Sequence, residues 1–535
     1  MSSTGKKAPL LLRCSRGDAR LKNSLVVVCL SAAMMSTLAS LGCGSGNFTP
    51  PLTAVAATSH PLVAQYSIRH FHQGLTAWVE FGTDSSYGRQ TSVMTNSVTT
   101  PGGQALNILV AGMKPQTTYH MRAHVDWAGG SFVDQDQTFT TGPLPESQPA
   151  PGFQVTRSAV PGLAPAPGVE LLDVLSLTGA NMLHAVALDL QGNVIWYCPQ
   201  STIPVKPMQN GHFMLNSGKD LLEVDLTCST IRDVSVAQVN QSLQTNGYDF
   251  TIPPQLGVAG GTPFHHDVLV LPNGHWIGLC EISKNFTDLT GYPGTTEVVG
   301  DALVDIDLNG NVAWAWSSFD YLDVNRHPYW GLPDWTHSNA IVYTADGNLL
   351  LSMRAQSWIL KLDYANGTGS GDILWKLGPE GDFTLSSGDP TQWFYSQHYP
   401  NLLSTNGSQM NIAVMDNGDY RTDSNGVQCE TTPTSPACYS RAAIFQVDES
   451  TNVATLLWQD LPAGVYSFWG GSVGVLSNGN VEFDMTTPTG GSSSEIMEVT
   501  QTDSPETVWQ LNIAGENAYR GYRIPSLYPG VTWQQ

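Results

Sequence analysis

Positive charge is scarce in this chain of 535 residues: 23 Lys and Arg stand against 45 Asp and Glu, for a formal charge of −22. So acidic a chain is a poor partner for nucleic acid or an anionic membrane face. An anionic ligand would have to meet locally placed Arg and His instead of a general positive field. Long apolar stretches with a 3.6-residue period are also missing, which excludes a helical bundle or helical solenoid. The eight cysteines include no CxxC spacing, which argues against dithiol redox chemistry and a zinc cluster.

Short apolar runs between Gly, Pro, Asn and Asp turns are abundant, with 52 glycines and 33 prolines. That is all-β composition, and the length calls for more than one domain. Residues 1–42 read as an export signal: a basic segment from Lys6 to Lys22, then an apolar stretch ending at Ser40-Leu41-Gly42-Cys43. Small residues before a cysteine resemble a bacterial lipobox, with Cys43 as the lipid-bearing residue and 43–56 as a tether. Removing 1–42 takes away six basic residues and one acidic residue and moves the charge from −22 to −27. Export to an oxidising compartment, periplasm or outer envelope, permits disulfides. Cys429 and Cys438 bracket a Thr/Pro/Ser loop and are the expected pair. Cys198 and Cys228 are a second candidate, which would leave Cys280 free.

Residues 57–143 alternate as strands and close on Met113-Lys114-Pro115-Gln116-Thr117-Thr118-Tyr119. The segment resembles a fibronectin type III-like β-sandwich, with Tyr119 at its tyrosine corner. A Pro-rich stretch, 144–167, is expected to be a linker. From 168 to 535 a unit recurs in which an aspartate, a Gly/Asn turn and a tryptophan strand follow one another. Asp189-Leu190-Gln191-Gly192-Asn193-Val194-Ile195-Trp196 and Asp307-Leu308-Asn309-Gly310-Asn311-Val312-Ala313-Trp314 are the clearest copies, and Asp225 to Val236 is a copy without tryptophan. About six units of four strands predict a six-bladed β-propeller preceded by a small β-sandwich.

Three units open on a histidine: Phe264-His265-His266-Asp267, Trp335-Thr336-His337-Ser338-Asn339 and Ser396-Gln397-His398-Tyr399. A residue before the first strand of a blade falls near the ring axis in every blade, so these imidazoles are expected to converge. Antiparallel pairing puts Arg354, at the end of Ser352-Met353-Arg354, beside His337. Two or three imidazoles and a guanidinium suit a tetrahedral anion, because Arg offers a bidentate fork and imidazole can donate or attack. Asn339 and Asn417 either contact substrate or close turns. Two other readings stay open at this point: a metal-dependent propeller lyase or lactonase, and a non-catalytic, lipid-anchored binding propeller.

In order along the chain come His265-His266-Asp267 with Leu-Pro-Asn-Gly, Asp334 to Asn339, Ser352 to Ser357, Trp375-Lys376-Leu377-Gly378, Gln397-His398 with Asp416-Asn417-Gly418, and Tyr519-Arg520-Gly521-Tyr522-Arg523-Ile524-Pro525. This ordered set resembles the bacterial aryl sulfate sulfotransferases. The resemblance implies a six-bladed propeller and nucleotide-independent transfer of a sulfuryl group from an aryl sulfate to a phenol. It makes His398 the transiently sulfurylated nucleophile, and His266, His337 and Arg354 the holders of the sulfuryl oxygens. No cofactor or metal is implied. Expected partners are aryl sulfates, phenols and, through Cys43, a membrane, but no nucleic acid; a homodimer is compatible. One departure stands out: the family commonly has Gln-His-Asp where this chain has Gln397-His398-Tyr399, so something else must orient His398.

Overall fold

Strands Ala64–His70, Leu75–Gly82 and Thr118–Trp127 alternate buried and more exposed side chains, which gives each one apolar face. They belong to two sheets. One holds Leu52–Ala57, Ala64–His70 and Gln104–Val110; the other is built on Leu75–Gly82 and Thr118–Trp127 with short strands at its margins. Tyr66, Ile68, Val79, Phe81, Ile108, Met121 and Val125 share one core between them. The computed structural model describes residues 50–534 except 71–73, 97–103, 146–151, 176–182, 201–202, 255–261, 423–425, 430–437 and 489–491. The export signal and Cys43 therefore lie outside the described residues. The expected tether is shorter than 43–56, because Leu52 already enters the sandwich. Among the described residues no helix is long and apolar enough to cross a membrane.

Six further sheets follow, each with at least four antiparallel strands. Blade 1 takes Val169–Leu175, Ala185–Leu188 and Val194–Cys198, and its inner strand is Asn517–Ile524 from the C-terminus. Blades 2 to 5 run in chain order, with first strands Val205–Pro207, Phe264–Val270, Ser338–Tyr343 and His398–Asn406. Blade 6 runs from Val473–Val475 to Thr507–Ala514. Blades 3, 4, 5 and 6 touch in succession through their inner strands, and Asn517–Ile524 contacts blade 6, so the ring closes. The Pro-rich stretch is a linker only in part: Gly152–Arg157 pairs antiparallel with Thr507–Ala514 as a fifth strand of blade 6. Chain from before the repeat closes the last blade, and chain from after it closes the first.

The repeated tryptophans staple each blade to the next. The indoles of Trp196, Trp314, Trp375, Trp458 and Trp509 each donate to a residue in the outer turn of the following blade: Leu226, Gly369, Glu449, Thr502 and Leu190. A buried indole N–H needs an acceptor, and a turn carbonyl or carboxylate in the neighbour supplies it. Blade 2, the copy without tryptophan, uses Arg232 instead; its guanidinium donates to Asp307 O in blade 3 and lies 3.7 Å over the Trp276 ring. The tail after blade 1 ties the propeller to the sandwich. Tyr528 Oη donates to Leu109 O, and Trp533 packs against Phe81 and donates to Gln90 O. Gly112 is required there: its φ is +91°, and a Cβ would meet the Trp533 ring at 2.2 Å.

One expected bridge is corrected. Among the described residues the disulfide joins Cys198 and Cys228, between the outer edges of blades 1 and 2, and not Cys429 and Cys438. The latter two meet through a hydrogen bond, and burial followed by that contact pushes the Cys429 thiol up. The Cys198–Cys228 bridge spans 30 residues. Loop-closure entropy then predicts that the Cys198→Ala/Cys228→Ala double variant loses about 3.6 kcal/mol of stability. Thermal unfolding checks this, and reductant should lower the midpoint of the wild-type protein but not that of the variant.

Candidate active site

The inner strands of blades 3, 4 and 5 all break register at their start, between Phe264 and Val268, Ser338 and Ala340, and His398 and Asn401. A bulge turns a side chain away from the regular pleat, and here it does so beside a histidine each time. His266, His337, Ser396 and Tyr399 have φ between +45° and +51°. Left-handed backbone at non-glycine residues costs about 1–3 kcal/mol each and persists where the surroundings impose it. His266 and His337 rings lie 4.9 Å apart, and Tyr519 of the closing strand stands 5.6 Å from His266 and 5.8 Å from His398. The imidazoles of three blades thus converge around one tyrosine from a fourth.

The position of His398 defines its proton. Its Nδ1 is 2.7 Å from Asn417 Oδ1. The Asn417 amide cannot be turned, because its Nδ2 donates to Ser467 O at 2.8 Å and Gly470 O at 3.0 Å. Nδ1 therefore carries the hydrogen. On the other side the backbone N–H of Gly470 donates to Nε2 at 3.3 Å, so Nε2 presents a lone pair. Asn417 supplies the orientation that Tyr399 cannot. Tyr399 instead stacks on Tyr522 and lies under the Arg520 guanidinium. Burial, with Arg354 next, depresses the pKa of His398 well below the usual imidazole value, and burial with the charges of His337 and His265 does the same to His266.

Arg354 follows strand Leu349–Met353, and its backbone N–H donates to His337 O. Its guanidinium is buried, donates to Asp419 Oδ2 at 2.7 Å and Phe468 O at 2.9 Å, and lies 4.1 Å over the Trp330 ring. Nε has no partner among the described residues, which leaves a donor for an anion. His337 holds Asp334 Oδ2 through Nδ1 at 2.6 Å and stacks against Trp330. With 23% of its side chain exposed, it marks where the site opens to solvent. Asn339 does a different job: its Nδ2 donates to Gln397 O and joins blades 4 and 5. Asp267 ties four blades, through Lys206, Arg520 and the backbone of Ile341. Among the described residues no group of three or more His, Cys, Asp or Glu could hold a metal ion.

Tyr519, Trp330 and Trp469 were not legible as site residues. Tyr519 belongs to the strand that closes blade 1, so its place beside His398 follows only from the closure. Aligning Asn517-Ala518-Tyr519 with the histidine-led inner strands would have been the available signal. Trp330 lies in the long segment between blades 3 and 4, and Trp469 stacks on Tyr519. Any reaction that needs neutral His398 should keep its rate as pH falls through 6.5, because a depressed pKa keeps the ring unprotonated there. The rate should decline only at lower pH. A kcat/KM profile for the donor checks this.

A family model described as Arylsulfotransferase (ASST) matches residues 164–523. No curated protein matches the chain. Solved structures similar to it include virginiamycin B lyase from Staphylococcus aureus, at 8% identity, covering 68% of this chain and 99% of that chain with a TM-score of 0.27. An apocarotenoid oxygenase mutant from Synechocystis is 9% identical, covers 71% and 97%, and has a TM-score of 0.28. The WD40 domain of SCAP from fission yeast is 10% identical, covers 68% and 87%, and has a TM-score of 0.23. At these scores none of the three bears on the activity.

Proposed function

The chain belongs to the arylsulfotransferase family, which implies sulfotransferase activity on aryl sulfates, and from that premise we propose that His398 carries the sulfuryl group between donor and acceptor. The observation that carries this reading is a buried, neutral imidazole whose Nε2 is unprotonated, with its lone pair met by the Gly470 N–H at a long 3.3 Å and with Arg354 and His337 close by. Nε2 attacks sulfur, the S–O bond to the aryl group breaks, and the electron pair leaves with the phenolate. His337, held by Asp334, gives the phenolate its proton. An acceptor phenol then attacks sulfur, returns a proton to His337 and breaks the N–S bond. Sulfuryl transfer resembles phosphoryl transfer, with charge spread over the equatorial oxygens, so Arg354 and His266 act by electrostatic stabilisation. Trp330, Trp469 and Phe468 offer aromatic walls for the aryl groups.

The test is intact-mass measurement after mixing the protein with a nitrophenyl sulfate and no acceptor. A sulfuryl-sized gain that disappears on adding a phenol supports the reading; no gain with turnover intact would sink the covalent step. Asn417 adds a graded prediction. Asn417→Ala removes the acceptor that holds Nδ1–H and should slow sulfurylation by about 100-fold. Asn417→Asp keeps an acceptor and should lose less, as single-turnover kinetics would read. We also propose export with a lipid anchor at Cys43, and a fibronectin type III-like assignment for 57–143. The latter is supported by the bond from Lys114 N–H to Tyr119 Oη.

A further inference from the structure

Arg354 is held at one end and over one face, by different parts of the chain. Its Nη2 donates to Asp419 Oδ2 at 2.7 Å and to Phe468 O at 2.9 Å. Nε, nearer the backbone, is buried and has no partner among the described residues. A guanidinium bonded only at its tip can tilt, and a tilt re-aims Nε. Trp330 lies against that movement: the guanidinium carbon stands 4.1 Å from the centre of its ring. The indole is itself fixed. It stacks on His337 at 5.7 Å and meets Tyr420 at a steep angle at 5.8 Å. The segment that carries it is braced on both sides. Arg326 Nη1 donates to Gln356 Oε1 at 2.5 Å, and Trp335 Nε1 donates to Arg326 O at 2.9 Å. Beyond Trp330, Leu332 N–H donates to Tyr292 Oη at 3.0 Å, and Pro333 O accepts from Val299 N–H at 2.7 Å.

We propose that Trp330 is a positioning residue whose ring face holds the Arg354 guanidinium so that Nε–H is presented to a sulfuryl oxygen. This inference rests on the proposed sulfuryl transfer, and it gives Trp330 a task beyond walling the aryl group. The negative face of an indole attracts a cation, and the attraction grows when both are shielded from water, as the buried Arg354 is. In a shielded site it is worth about a tenfold change in a rate or a binding constant. In this role Trp330 acts only through Arg354. The structure also offers one rival role. Trp330 Nε1 is buried and has no acceptor among the described residues, so the indole N–H is itself a spare donor for the oxyanion.

The test compares two variants of the full chain: Trp330→Phe keeps a ring face without the N–H, and Trp330→Leu keeps neither. Single-turnover sulfurylation of His398 at saturating nitrophenyl sulfate is one readout, and calorimetric binding of inorganic sulfate is the other. Trp330→Leu should weaken each by about tenfold, while Trp330→Phe stays within about threefold of the wild type. In an Arg354→Gln background the Leu substitution should cost less than about twofold, because the group it acts through is gone. If Trp330→Leu does not fold, Trp330→Met takes its place. A Trp330→Phe as slow as Trp330→Leu would overturn the proposal in favour of the N–H. An undiminished cost in the Arg354→Gln background, or a raised KM at an unchanged saturating rate, would overturn it in favour of a wall alone. A wild-type protein that forms no adduct would instead overturn the proposed function, and the sulfate constants still read the hold on Arg354.

Discussion

His398→Ala should form no covalent adduct with an aryl sulfate and should lose turnover by at least about a thousandfold, while remaining folded. The size of the effect follows from the absence of a substitute on the same spot. His266 is also neutral, but its Nδ1 is engaged with His265, and His337 is tied to Asp334. The structural cost is modest by comparison. The variant loses two hydrogen bonds and leaves Asn417 Oδ1 and the Gly470 N–H without their partner, a penalty of about 1–3 kcal/mol each. Circular dichroism and thermal unfolding separate the two effects, and intact mass reads the chemistry. A mass gain that survives in His398→Ala would move the nucleophile to another residue.

Arg354→Ala should have the second largest effect, and it acts on both stability and rate. Asp419 would keep the Tyr466 hydroxyl at 2.6 Å but lose its buried countercharge. Breaking a buried ion pair from one side costs about 3–5 kcal/mol. Removing a donor to the transferring group costs a further hundredfold or so in rate. Because Arg354 also helps to depress the pKa of His398, the acid limb of the pH profile should move up toward the ordinary imidazole range. Arg354→Lys tests the fork: one ammonium keeps the charge but cannot serve Asp419, Phe468 O and an oxyanion at once. It should recover much of the stability and little of the rate. Equal recovery of both would show that charge alone suffices.

Much of the architecture was legible because β-propellers repeat their physics. An aspartate, a turn and a tryptophan recur in the sequence because each blade needs the same outer hairpin and the same indole donor to its neighbour. The histidine-led strand starts were legible for the same reason, and so was the pairing of Arg354 with His337. The orientation of His398 was not. Asn417 stands 19 residues away, and its amide is fixed by carbonyls of Ser467 and Gly470 some 50 residues further on. The ranking of the two candidate bridges was inverted for a related reason: closeness along the chain favoured Cys429 and Cys438, while the edges of two blades bring Cys198 to Cys228.

By itself the sequence determined the fold class, the blade repeat, the acidic charge and which residue types stand at the start of each inner strand. These are local or periodic properties, set by alternation, turn chemistry and composition. Only the tertiary structure decided which nitrogen of His398 holds its proton, that Tyr519 joins the histidines, and which cysteines form the disulfide. Each of these depends on atoms brought together by closing the ring, where strands from both ends of the chain lie side by side. Contacts between residues hundreds of positions apart leave no periodic trace in the sequence.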